Sequence, residues 1–348
     1  MKLLRALGPL LAISSFSLSF SLGAAAAELP ISDLDLTGSR APREIPAVPL
    51  ELAPDSIELP HLPDHAAFKI EVLREVHGRL VPIDGLAFAA GPSCTAGSSG
   101  TARFTAKLET ARFAVTNGRQ TYSIALDVPC AGVTRAIFKP DSNGGQALGI
   151  WQVALRAQKK LEAAVDTAFW RRRIDFSWPA DGDYYSFGQV NLTRGDQWDV
   201  VGHELGHAIY DQGGIGQFGG GEHKIDECYS QALALSEGWA SYFSAWVSVD
   251  LTDPDAKFEF MVPRRAPLRF ETIPEDVCRG DTNEWRVIGF FWDLADLNSD
   301  GENSTETFAR LWNPLLNSRV GSATEAASRL KKAEIPDSVV DLVWHLNF

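Results

Sequence analysis

Trp198-Asp-Val-Val-Gly-His-Glu-Leu-Gly-His-Ala-Ile-Tyr210 is the stretch on which the reading of the chain turns. Val200, Val201, Leu205 and Ile209 recur every three or four residues, so the spacing predicts an apolar helix. His203 and His207 are four residues apart and project from one face of that helix, where they can share a metal ion. Glu204 lies beside the same face, placed to hold and deprotonate a water on the metal. Gly206 points elsewhere and allows a second helix to come close. Asp196 is expected to cap the first turn, and Asp199 to favour the positive end of the helix dipole.

A metal held by two histidines needs a third ligand. Ser236-Glu-Gly-Trp-Ala-Ser-Tyr-Phe243 lies in a helical stretch over 229–247, with Glu237 thirty residues beyond His207. That gap is enough for a loop and a returning antiparallel helix, and Glu237 is the preferred ligand. The chain has seven histidines. His61, His65, His77 and His345 fall in an N-terminal arm, in a strand-rich region or at the last residues, which leaves His223 as the other nearby histidine. The extended motif of the metzincins, H-E-x-x-H-x-x-G-x-x-H, is excluded, because Tyr210 and Gly213 stand at its glycine and final histidine positions.

Outward from this centre the chain changes character. All ten tryptophans lie after residue 150. Residues 150–170 have helical spacing, 173–178 alternate as a strand, and 184–192 read as another. Before residue 145, segments beginning at Phe68, Ala102 and Thr121 alternate apolar and polar residues between Gly, Asn and Ser clusters, the pattern of short antiparallel strands. The expected fold class is α+β: a small β-sandwich over 66–145, then a mainly helical metal-binding domain over 146–348 with a short edge-stranded sheet. Residues 28–65 carry seven prolines and read as an arm or linker. Residues 1–27 read as a signal peptide: Lys2 and Arg5, an apolar stretch, then Ala25 and Ala27 at the cleavage positions. The mature protein is therefore expected in the periplasm or outside the cell, with no stable membrane insertion after cleavage.

Charge and cysteines narrow the partners. The formal net charge of −13 argues against a nucleic-acid partner, since a phosphate backbone wants a basic face. The four cysteines of an exported protein read as two disulfides. Of three possible pairings, Cys94–Cys130 with Cys228–Cys278 is favoured, because each bridge then stays within one expected domain. No two cysteines have the close spacing of a thiolate zinc site.

HELGH at 203–207 followed by SEGWASYF at 236–243 resembles the gluzincin metallopeptidases of the thermolysin and fungalysin kind, and the apolar segment at 287–294 is similar to the one beyond the ligand helix in such enzymes. The resemblance spans roughly 145–312. It implies a zincin-like fold and a secreted zinc peptidase, with His203, His207 and Glu237 as ligands and Glu204 as general base on a zinc-activated water. It also implies that the strand at 184–192 is the edge that pairs with an extended peptide or protein substrate. The family's frequent Asp four residues after the ligand Glu is Ser241 here, a hydroxyl that can still accept from a histidine but lacks the charge. Asp293 or Asp296 could supply a carboxylate instead. The family's transition-state donor has three candidates, Tyr229, His223 and Arg286. The stretch GRLVPIDG at 78–85 resembles transthyretin-like sandwiches. Competing functions are a binding protein with a relic metal domain and a zinc hydrolase acting on a cell-wall or lipid bond.

Two further features stand beside the motif. Six glycines among residues 213–221 read either as a flap over the cleft or as a connector. Asp296, Asn298 and Asp300 match the first half of a calcium loop, but its twelfth position is Thr307, so a plain Asx turn competes with a Ca2+ site.

Overall fold

The computed structural model describes residues 57–58, 68–90, 100–129, 132–217, 221–298, 301–302, 305–333 and 335–348. The expected signal peptide, most of the 28–65 arm, the Cys94–Cys130 pairing and Asp300 lie outside the described residues.

The molecule mixes helix and sheet, as an α+β chain does. Nine short strands come first: β1 (Ile57–Glu58), β2 (Phe68–Val76), β3 (Arg79–Pro82), β4 (Phe88–Ala90), β5 (Thr101–Lys107), β6 (Phe113–Asn117), β7 (Gln120–Thr121), β8 (Ser123–Pro129) and β9 (Gly132–Phe138). Helix α1 (Asn143–Ala164) is next, then β10 (Ile174–Ser177), β11 (Tyr184–Ser186) and β12 (Gln189–Asn191). After them come α2 (Trp198–Gly213), α3 (Gln231–Ser248), the pair β13 (Lys257–Phe258) and β14 (Leu268–Arg269), and helices α4 (Glu284–Ala295), α5 (Phe308–Leu315), α6 (Ala323–Lys332) and α7 (Asp337–Asn347).

The strands before residue 145 do not stay together. One sheet joins β1, β2, β3 and β9, and a second joins β4, β5 and β8. The third, in the order β11-β12-β10-β6-β7, takes β6 and β7 from the first half and the rest from beyond α1. The reason lies in burial. β5 alternates buried and exposed residues as a half-solvated strand does, whereas Phe113, Ala114, Val115 and Thr116 of β6 are all buried. A strand covered on both faces suits a parallel pairing, and β6 is parallel to β10 with Val115 opposite Phe176. The sheet thus crosses the boundary expected at 145, and β2–β9 pair parallel where antiparallel neighbours are expected. One apolar core runs from Ile70 to Val343 through both halves.

Helices α2 and α3 are buried on nearly every side, as an apolar all-round helix must be. A Cβ on Gly206 would sit 2.6 Å from the Ala240 carbonyl oxygen, so the two backbones nearly touch. Gly238 does the same for α3 and α4: its Cβ would lie 2.5 Å from Val287 side-chain carbons. Ser230 caps α3 by accepting from the Leu233 N–H, and Asn283 caps α4 by accepting from the Arg286 N–H. The expected cap of α2 is not formed. Asp196 is taken by Arg194, with contacts of 2.7 and 3.0 Å. Asp199 is fully buried and accepts from the Glu259, Phe260 and Met261 N–H groups, fixing that loop against the helix start.

The described part of the glycine-rich segment is anchored rather than raised. Gly213, Gly214 and Ile215 carbonyls accept from the Asn317, Arg319 and Val320 N–H groups. Among the described residues no helix is long and apolar enough to cross a membrane.

Candidate metal centre and active site

The close approach of α2 and α3 sets three donor atoms at one point. His203 Nε2 and His207 Nε2 are 3.1 Å apart, and Glu237 Oε2 lies 3.2 Å from the first and 3.1 Å from the second. A tetrahedral ion with bonds of about 2.0 Å separates its ligands by roughly 3.3 Å. Nitrogen lone pairs and a carboxylate oxygen facing one another at this spacing fit a divalent cation better than they fit one another. The residues present therefore suit the zinc that the sequence pattern implies.

Electrostatics prepare the same corner. Burial pushes His203 down to about 4, assisted by the other two histidines and opposed by Glu237, so its ring is neutral and can offer a lone pair. Burial alone would raise Glu237, but the surrounding histidines outweigh it and hold the carboxyl well below the usual range. Behind the corner, Ser241 Oγ lies 2.9 Å from His203 Nδ1. With Nδ1–H donating to that hydroxyl, Nε2 is left bare toward Glu237. Replacing Ser241 by alanine is expected to weaken metal affinity about 10- to 100-fold with the fold intact. Competition with a chelator measures this; an unchanged affinity would remove Ser241 from the site.

Glu204 is fully buried beside the corner, and neither of its oxygens makes a hydrogen bond of full geometry. Burial raises its carboxyl well above the ordinary value, and Glu237 and Asp183 add repulsion. His223 and the Tyr185 backbone N–H pull the other way. Asp183 is itself tied to Thr193 through the backbone N–H and the hydroxyl, at 2.8 and 2.7 Å.

His223 reaches the site from the loop between the two helices. Its Nδ1 lies 3.1 Å from the Gly221 carbonyl, its Nε2 3.2 Å from Glu284 Oε2 and 3.9 Å from Glu237 Oε2. Burial opposes a charge there, but Glu284 and then Glu237 raise the imidazole to about 10. Glu284 is raised as well, by burial and by Glu237, so the pair holds a proton between them. His223, Glu237 and Glu284 form a second group whose ligand atoms lie within 4.8 Å of one another. A disulfide and side-chain bonds fix this loop. Cys228 is bonded to Cys278, and Asn283 Nδ2 donates to the Ile225 and Glu227 carbonyls at 2.9 and 2.8 Å.

The other expected residues have partners of their own. The Tyr229 ring stands edge-on to His223 with centroids 6.2 Å apart, and its hydroxyl donates to Glu227 and accepts from the Lys224 N–H. Arg286 binds the Val277, Cys278 and Asn347 carbonyls and is structural. Asp293 accepts from Asn347, and Asp296 accepts from the Asn298 N–H in an Asx turn; Ser241 stands behind His203 instead of either. The described part of the expected Ca2+ loop is thus a turn, and its Asp300 is outside the described residues.

Sequence reasoning missed Glu284, Asp183 and Tyr185. Glu284 stands just after a cap, where an acid ordinarily serves the helix dipole. Every residue of α4 is buried, so an acid on it has no solvent to face, but that burial comes from the packing and not from local sequence pattern.

A family model described as the mycolysin C-terminal domain matches residues 156–329, half of the chain. The matched stretch holds His203, Glu204, His207, His223, Glu237 and Glu284. No curated protein matches the chain.

Proposed function

Since the chain belongs to the mycolysin C-terminal domain family, we propose that it is an exported zinc-dependent peptidase that cleaves peptide bonds within extended substrates. The observation that carries the reading is the three-donor corner of His203, His207 and Glu237 with a buried Glu204 beside it. Those three residues would hold the ion. When bound, zinc supplies Lewis acidity, polarising a carbonyl and acidifying a water.

The chain's own groups do the rest. Glu204 takes a proton from the attacking water and returns it to the leaving amine nitrogen, a cycle suited to a desolvated carboxyl with a raised pKa. His223 carries a proton at Nε2 and lies 3.9 Å from Glu237 Oε2, which makes it the preferred transition-state donor among the candidates. His223 and Glu284 hold a proton between them, which favours the His223 group as a hydrogen-bonding partner of the corner over a second metal site.

Strand β11 lies at the free end of its sheet. Phe187 and Gly188 form a two-residue turn closed by Ser186 and Gln189, so Tyr185 opposite Val190 is a non-hydrogen-bonded position. Its N–H and C=O point away from β12, and the N–H leans toward Glu204. An extended peptide added along this edge would carry its backbone past the general base. The Cys228–Cys278 bridge supports an oxidising compartment.

The test is metal removal. Purified protein is expected to hold about one zinc per chain and to hydrolyse unstructured peptides. A chelator should abolish hydrolysis, and zinc should restore it. A metal-free protein that takes up no added zinc, or a zinc-loaded one that cleaves esters and no peptide, would overturn the reading.

A further inference from the structure

The hairpin beside the site ends in a misfit. Phe187 and Gly188 form its turn with φ of +48° and +93°, both in the left-handed half of backbone space. Two-residue turns of this kind favour Asn, Asp or Gly at the first position, because a bulky side chain there crowds its own backbone. Phe187 occupies it and is 85 % exposed. Among the described residues no other large apolar side chain is exposed beyond 58 %. The residue therefore opposes both the local backbone and the tendency of aromatic rings to leave water.

The tip is held in place. The Tyr185 hydroxyl donates to Asp211 Oδ2 at 2.6 Å and accepts from the Gly188 N–H at 3.0 Å. Asp211, near the end of α2, is also paired with Arg172 at 3.0 Å. The aromatic ring is thus presented from a braced turn joined to the helix that carries His203 and His207. Strain that persists in such a frame marks a place where binding recovers it. Tyr185, whose N–H leans toward Glu204, is two residues away, about 7 Å along the strand.

We propose that Phe187 is a specificity-determining residue that receives an apolar, preferably aromatic, substrate side chain about two residues from the scissile bond. This rests on the peptidase reading and deepens it. An extended substrate on the edge of β11 passes the hairpin tip in register, and a ring exposed on the tip offers its face to one substrate side chain. Contact with an apolar group removes both surfaces from water, whereas a glycine or a charged side chain at that place gains nothing from it.

The test compares the zinc-loaded parent with Phe187→Asn and Phe187→Tyr on peptides of one length. Gly, Asn, Leu or Phe is placed in turn two positions to either side of the cleaved bond. The parent is expected to prefer Leu or Phe over Gly at one of these positions by about tenfold or more in kcat/KM. Phe187→Asn should bring that ratio close to one and raise Tm, because Asn suits the turn. Phe187→Tyr should keep the preference. An active parent whose preference survives in Phe187→Asn, or whose rates fall equally for all peptides, would overturn the assignment to Phe187 alone. A parent that cleaves none of the peptides would overturn the peptidase reading, and this one with it.

Discussion

Glu204→Gln keeps its metal and its fold and loses turnover by about 10²- to 10⁴-fold in kcat, the range that a positioned proton-transfer group supplies. The amide has the shape of the carboxyl but cannot accept the proton from water. The fold should not suffer. Glu204 is held without a full hydrogen bond in a fully buried place, and burial disfavours its charged form. A neutral amide removes that cost. Metal content by atomic absorption and kcat on a peptide substrate are read from the same preparation. Full metal with near-parental turnover would take Glu204 out of the chemistry.

Glu237→Ala is expected to be metal-free at concentrations that saturate the parent, with hydrolysis lost to the same degree or more. The difference from Ser241→Ala is one of position: on the proposed reading Ser241 only orients a histidine, whereas Glu237 would supply a donor oxygen and the anion of the corner. Thermal melting gives a readout independent of activity. A ligand that binds only the folded state raises stability with its concentration, so added zinc should raise the parent's Tm and leave that of Glu237→Ala in place. Glu237→Gln preserves the side-chain volume and guards against a simple packing defect. A zinc-dependent Tm in both variants would mean that the ion is held without this residue.

What the sequence disclosed depended on how local the information was. His203, Glu204 and His207 share one helical turn, so four-residue spacing alone puts the histidines together. Gly206 was legible for the same reason, since a missing side chain in an apolar helix marks a close neighbour. Glu237 needed more, namely counting the alternatives and recognising a second helix, and the structure brings it within 3.2 Å of both histidines. Glu284 could not be found this way, because its approach to His223 depends on how α4 packs on α3 at Gly238. Asp196 and Asp199 were both read as helix-start acids. Local pattern does not tell an acid paired with Arg194 from one that gathers three backbone N–H groups from residues about sixty positions away. The sheet shows the same limit. Strand β6 lies among strands of the first half in sequence, and only its unbroken buried run distinguishes it from them. An apolar run states that both faces are covered but not by what.

The bridge between Cys228 and Cys278 has a consequence for timing. It spans fifty residues and encloses all of α3, Glu237 included; its two ends lie in the segments that deliver His223 and Glu284. Closing a loop of that length removes about 4 kcal/mol of chain entropy from the unfolded state in the simplest treatment. A newly made chain in a reducing cytosol has only the two thiols, and the segments that must meet around α3 are held by packing and hydrogen bonds alone. On the proposed reading of an exported chain, the bond forms once an oxidising environment is reached, and the segments that carry His223 and Glu284 gain their covalent tie there and not before.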